Sequence, residues 1–102
     1  MNILILGDVM GASGRKVLSN KLPDIIIANK IDFVIVNGEN ASDDGRGITK
    51  EITEDFFKIG VDVITSGNHI WDKKETSEFI EKENRLLRPA NLVNGSPGRG
   101  YK

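Results

Sequence analysis

Ile3-Leu4-Ile5-Leu6-Gly7-Asp8 is a short apolar run closed by a glycine and a carboxylate. The chain repeats this arrangement twice. Phe33-Val34-Ile35-Val36 leads into Asn37-Gly38-Glu39-Asn40, and Val61 to Thr65 leads into Ser66-Gly67-Asn68-His69. Runs of this length, rich in β-branched residues and bounded by turn formers, read as buried strands. The pattern predicts strands over 2–7, 32–37 and 61–66. Each ends on polar groups capable of chemistry. As parallel neighbours, the strands would share one crevice at their carboxyl ends, where open α/β sheets bind ligands.

Helical patterns fill the gaps. Gly11 to Gly14 read as a loop. A helix is expected from about Ser13 to Arg15 through Val17, Leu18, Leu22, Ile25 and Ile26 to Ala28, with Pro23 kinking or dividing it. Gly38 to Ile48 is polar, glycine-rich and long for a strand-to-helix connection, a length at which loops are often functional. Thr49 is a plausible N-cap for a helix carrying Ile52, Phe56, Phe57 and Ile59, ended by Gly60. A third helix is expected from about Lys73 to Glu81, with Phe79 and Ile80 inward. Leu86-Leu87 reads as the start of a fourth strand ended by Pro89, and Asn91 to Lys102 as loop. The order β-α-β-α-β-α implies right-handed crossovers and a mainly parallel sheet of the α/β class, one domain over residues 1–102.

The composition narrows the setting. The 102 residues carry 14 Lys and Arg against 15 Asp and Glu, a net charge of −1. No global basic field draws in nucleic acid. Four basic residues and no acidic ones lie between Arg85 and Lys102. That segment reads first as a solvated surface and second as a contact for phosphate or a partner. No apolar run approaches the roughly 20 residues of a membrane span. The amino terminus lacks a secretory pattern, because Asp8 interrupts the apolar run, so a cytoplasmic location is expected. Cysteine is absent, which excludes disulfides and thiolate metal sites.

The strand-end residues have complementary chemistry. Asp8 offers an anionic oxygen, and Glu39 a carboxylate able to bridge two cations. Asn40 and Asn68 offer neutral amide oxygens. His69 could ligate a metal or donate a proton. Oxygen-rich groups suit hard or borderline cations. Two such ions about 3.5–4 Å apart clamp an in-line displacement at phosphorus. Two divalent ions against two carboxylates leave a positive surplus that can hold an anionic phosphate. Taken singly, each residue has a plainer reading as a turn, cap or surface group; together, after three successive strands, they favour a site. Trp71 reads as a lid packed over the loop and Asp72 as a cap for the next helix. Asp43 and Asp44 read first as solvated loop charges and second as groups that could recruit another cation. Gly11-Ala12-Ser13-Gly14-Arg15 lacks the Gly-Lys-Ser/Thr ending of a phosphate loop, although Arg15 could approach a phosphate.

At these residues the chain resembles the calcineurin-like metallophosphoesterase superfamily, and more narrowly the YmdB-like bacterial phosphodiesterases. The resemblance is carried by Ile5 to Gly11 with Gly14-Arg15, by Asn37 to Ala41 with Gly47-Ile48-Thr49, by Ser66 to His69 with Trp71-Asp72, and by Arg88-Pro89-Ala90-Asn91. It implies a layered metallophosphoesterase-like α/β fold around a β-sandwich, of which this chain resembles the amino-terminal part. It further implies Asp8, Glu39, Asn40 and Asn68 as metal ligands, Glu39 bridging, and His69 as proton donor or transition-state stabiliser and not a ligand. The implied cofactor is two divalent ions, iron or manganese first, with magnesium or zinc also suited. The implied reaction is phosphodiester hydrolysis, with 2′,3′-cyclic nucleotides as substrate class, by a hydroxide between the metals.

Two departures stand out. Met10 occupies a position where many superfamily members have histidine, and His69 is the sole histidine of a chain shorter than its relatives. An incomplete site is therefore expected, with slow or no turnover by the chain alone. An exposed sheet face would favour self-association into a homo-oligomer or pairing with a complementing carboxy-terminal segment. The alternative is a non-catalytic interaction or regulatory module that retains part of the fold.

Overall fold

The computed structural model describes all of residues 1–102. It contains β1 (Ile3–Leu6), α1 (Gly11–Ala28), β2 (Phe33–Asn37), α2 (Lys50–Lys58), β3 (Val63–Thr65) and α3 (Thr76–Phe79). The sheet has the order β1-β2-β3 and is parallel throughout, as the alternating pattern predicted. Ile3 pairs with Phe33 and Leu6 with Val36; Ile35 pairs with Val63 and Asn37 with Thr65. Two aspartates fix this register at the strand starts. Asp32 Oδ2 accepts from the Asn2 amide at 2.7 Å, and Asp62 Oδ2 accepts from the Val34 amide at 2.8 Å.

Side chains of a strand alternate between faces, so this register sorts the apolar residues into two rows. Leu4, Leu6, Val34, Val36 and Ile64 belong to the face that packs with Leu18 and Leu22 of α1 and Phe56 of α2; Val36 and Ile64 are fully buried. The other row is Ile3, Ile5, Phe33, Ile35 and Val63. Val63 is buried yet stands apart from the thirteen-residue core cluster, while Ile3 is 52% and Ile5 72% exposed. β1 is also the open edge of the sheet. The sheet is thus apolar on both faces, the signature of parallel strands, and helices cover only one.

The helices depart from expectation in instructive ways. α1 begins at Gly11, with Met10 in extended conformation before it, so Gly11 to Gly14 is the first helical turn and not a loop. Pro23 does not divide α1. It lies on the exposed side, where the carbonyl it leaves without a donor can be solvated. α2 starts where Thr49 predicted: its hydroxyl accepts from the Ile52 amide at 3.2 Å. The Gly60 terminator holds too, at φ +106° in the left-handed region.

The carboxy-terminal third is less regular than its pattern suggested. The helix expected over 73–81 is only Thr76–Phe79, preceded by Glu75, and Asp72 does not cap it. Thr76 is buried and its hydroxyl donates to the Ile48 carbonyl at 3.0 Å, tying this turn to the long loop before α2. Leu86-Leu87 forms no full strand. Leu86 bridges to Ile64, and Leu87 to Arg99, as isolated parallel contacts at the β3 edge. The expected solvated basic segment is partly built in: the Arg85 guanidinium stacks 3.7 Å from the Phe57 ring centroid. No helix is long and apolar enough to cross a membrane.

Candidate active site

The three strand-end loops are laced together by their own backbones. The Gly38 amide donates to the Thr65 carbonyl at 2.9 Å, the Val9 amide to the Asn37 carbonyl at 3.3 Å, and the Gly11 amide to the Asn40 carbonyl at 2.9 Å. These bonds continue the parallel ladder past the strands and bring Asp8, Asn40 and His69 to one place.

Their side chains form a continuous row. Asn40 Nδ2 donates to Asp8 Oδ2 at 2.8 Å, and Asn40 Oδ1 lies 2.7 Å from His69 Nδ1. A carboxylate accepts only, so Asp8 fixes which arm of the Asn40 amide faces it. The amide oxygen then faces His69, and Nδ1 must carry the hydrogen of that bond. His69 Nε2 is left free for other chemistry. Asn40 is 9% exposed, so an amide that satisfied neither neighbour would be costly there.

Glu39 and Asn68 complete the predicted set without joining this row. Neither side chain has a hydrogen-bond partner among the other residues, and Asn68 is exposed. The Glu39 carboxylate lies against the backbone of Gly67, immediately before Asn68. A Cβ on Gly67 would stand 2.5 Å from Glu39 Cδ and 2.6 Å from Oε1, so only glycine leaves room for the carboxylate there.

These donors fit a hard cation in kind. Asp8 Oδ1 is unbonded, the Asn40 oxygen keeps a second lone pair, and Glu39 and Asn68 have all their oxygens free. They are few in number. No group of three or more histidine, aspartate and glutamate side chains converges, since the Glu39 carboxylate stands apart from the row that links Asp8 and His69 through Asn40.

The neighbouring loop supplies charge. Arg15 does not approach the cleft as a phosphate ligand. Its guanidinium donates to the Ala41 carbonyl at 2.5 Å and pairs with Asp43 at 2.7 Å, pinning the loop to α1. Asp44 pairs with Lys73 at 2.6 Å, and this ammonium holds the Asp44 carboxyl below its ordinary value. Asp43 and Asp44 are thus partnered, not merely solvated. Trp71 is half-buried and packs against the core. Asn40 and His69 face a cleft of about 580 Å³ whose walls include Met10, Ser13, Gly45 and Arg46. Sequence reasoning passed over Arg46. The signal available was its place in a long glycine-rich loop between two predicted site elements.

With this geometry in view, comparison with known proteins is decisive. The sequence matches the family described as "YmdB-like protein" over residues 4–102. The chain belongs to the YmdB-like family. It is 45% identical over 100 residues to the 2′,3′-cyclic-nucleotide 2′-phosphodiesterase of Bacillus subtilis (strain 168), covering 98% of this chain and 38% of that protein. A crystal structure of a hypothetical protein from Thermus thermophilus superposes with a TM-score of 0.88 at 38% identity, over 98% of this chain and 38% of the other. A crystal structure of a phosphatase from Mycoplasma pneumoniae superposes with a TM-score of 0.86 at 36% identity, over 96% and 36% respectively. The chain therefore spans little more than a third of the length of these relatives, and its α/β fold is that of the two solved structures over that third.

Proposed function

We propose that this chain supplies the strand-end loops of a metal-dependent phosphodiesterase site that acts on 2′,3′-cyclic nucleotides. The observation that carries the reading is the Asp8–Asn40–His69 row at the carboxyl end of a parallel sheet. The kinship with a protein named for that activity supports the substrate class.

Asp8, Glu39, Asn40 and Asn68 would hold two divalent ions, of which iron and manganese suit the mixed carboxylate and amide oxygens. Bound there, the ions would polarise the phosphoryl group and acidify water to a nucleophile at neutral pH. The chain's own residues do the rest. Asn40 holds the imidazole by its Nδ1 hydrogen, so Nε2 is left free. In the imidazolium form, Nε2 gives its proton to the ribose oxygen that departs from phosphorus, while Nδ1 keeps its own. Gly67 leaves the space in which the Glu39 carboxylate sits.

The test is manganese binding by calorimetry together with hydrolysis of 2′,3′-cyclic AMP. Asn68→Ala lowers manganese affinity of the chain, whereas His69→Ala preserves metal binding and, in a complete enzyme carrying these loops, abolishes turnover. Hydrolysis that persists after thorough chelation, or metal binding indifferent to Asn68→Ala, refutes the assignment.

A further inference from the structure

A phosphodiester is an anion, and the cleft needs a group to receive it. Arg46 is the single Lys or Arg among the residues that line the cleft with Asn40 and His69. The two carboxylates beside it are already engaged, Asp43 with Arg15 at 2.7 Å and Asp44 with Lys73 at 2.6 Å. The Arg46 guanidinium is exposed and pairs with no carboxylate of the chain, so its charge is open to a ligand.

The loop that carries Arg46 is held in place. The Ser42 amide donates to the Gly47 carbonyl at 3.0 Å, and the Gly45 amide to the Ser42 carbonyl at 2.8 Å. The Arg46 amide itself donates to Asp44 Oδ1 at 3.1 Å. Gly47, at φ +76°, lies so close to the next loop that a Cβ would stand 3.2 Å from the His69 carbonyl oxygen and 3.3 Å from the Lys73 amide nitrogen. Arg46 is thus stationed one residue from a direct backbone contact with His69. Its side chain is exposed at the rim of the cleft that Asn40 and His69 line.

We infer that Arg46 is the substrate-anchoring residue of this site, pairing its guanidinium with the two non-bridging oxygens of the phosphodiester. The inference rests on the phosphodiesterase reading above. A planar fork of donors matches two oxygens of one phosphate, a geometry that a lysine ammonium does not reproduce.

The experiment is a ¹H–¹⁵N NMR titration of the 102-residue chain, in the presence of magnesium as a diamagnetic divalent ion, with 2′,3′-cyclic AMP, and with uncharged adenosine as comparison. In the wild type, the amides of Asn40, Arg46 and His69 shift with the cyclic nucleotide. Arg46→Ala weakens that binding about tenfold, the scale of a single hydrogen-bonded charge pair. Arg46→Lys retains an intermediate affinity, and neither variant changes the melting temperature or adenosine binding. Equal affinity of wild type and Arg46→Ala, with shifts still at Asn40 and His69, overturns the anchor and leaves the phosphodiesterase reading standing. Absence of any cyclic-nucleotide shift in the wild type overturns both. A parallel loss of adenosine binding in Arg46→Ala also overturns the inference, because it assigns the effect to shape and not to charge.

Discussion

Gly67→Ala separates the seat of a carboxylate from the stability of the fold. The added methyl would stand 2.5 Å from Glu39 Cδ and closer still to Oε2, against an ordinary contact limit of 3.4 Å, so the carboxylate must retreat by at least about 0.9 Å. Metal–ligand distances tolerate only about ±0.2 Å, and a shift several times larger removes the group as a ligand. The fold loses little in the process. Glu39 is half-exposed, its carboxylate has no hydrogen-bond partner to lose, and the clash falls on the mobile end of the side chain. The expected cost in stability is within about 1 kcal/mol, as for substitutions away from a packed core. The expected loss in manganese affinity is about 10- to 100-fold, comparable to removing a group that orients a ligand. Thermal melting and calorimetric manganese titration of wild type, Gly67→Ala and Glu39→Ala decide it. The reasoning fails if Gly67→Ala binds manganese like the wild type while Glu39→Ala does not. It fails equally if Gly67→Ala unfolds the chain.

Three further outcomes follow from the packing and the charges. Thr49→Ala removes the hydroxyl that accepts from the Ile52 amide at 3.2 Å and lowers stability by about 1 kcal/mol in denaturant titrations, with the site unaffected. Ile64→Ala, at a fully buried position on the helix-covered face, costs about 2–5 kcal/mol, whereas Ile5→Ala, at a position 72% exposed, stays within about 0.5 kcal/mol; similar costs would contradict the assignment of faces. The Asp44 carboxyl is held below its ordinary value of 3.8, chiefly by its hydrogen bond from Lys73. Its contribution to stability is therefore complete above that value and is lost as pH falls through the lower folded one. A carboxyl NMR titration of Asp44 checks this, with a midpoint at or above the ordinary value as the contrary result.

The strands, the α2 cap and the clustering of the three loops were legible in the sequence, because each depends on neighbours in the chain. β-branched runs bounded by turn residues leave few alternatives, and Thr49 caps α2 through a residue three places on. What was misread depends on distant partners. Gly11 reads as a breaker, but its amide is bonded to Asn40 and its residue becomes the first of α1. The 73–81 pattern reads as a helix, but Thr76 is drawn to the Ile48 carbonyl and only one turn forms. Arg15 could approach a phosphate on its position alone, but in the fold its guanidinium is turned to the Ala41 carbonyl and Asp43. Leu86-Leu87 carries a strand pattern too short to form more than single bridges on either side.

The candidate site shows the same division most sharply at Asn40. In sequence it reads as an amide-oxygen ligand at a strand end, with nothing to show its neighbours; in the fold its partners lie 32 and 29 residues away. An aspartate at this position would set a second carboxylate against Asp8 and could donate nothing to it. A hydrophobic residue would leave both Asp8 and His69 unanchored. An amide donates from one arm and accepts on the other, so a single neutral group orients the acid and the imidazole together without adding charge. That neutrality matters where an anion must enter: each carboxylate avoided at the cleft leaves more of the positive potential of Arg46 and of any bound cation to act on phosphate. The placement of an amide between Asp8 and His69 thus accounts for the fixed tautomer of the imidazole without setting a further carboxylate beside Asp8.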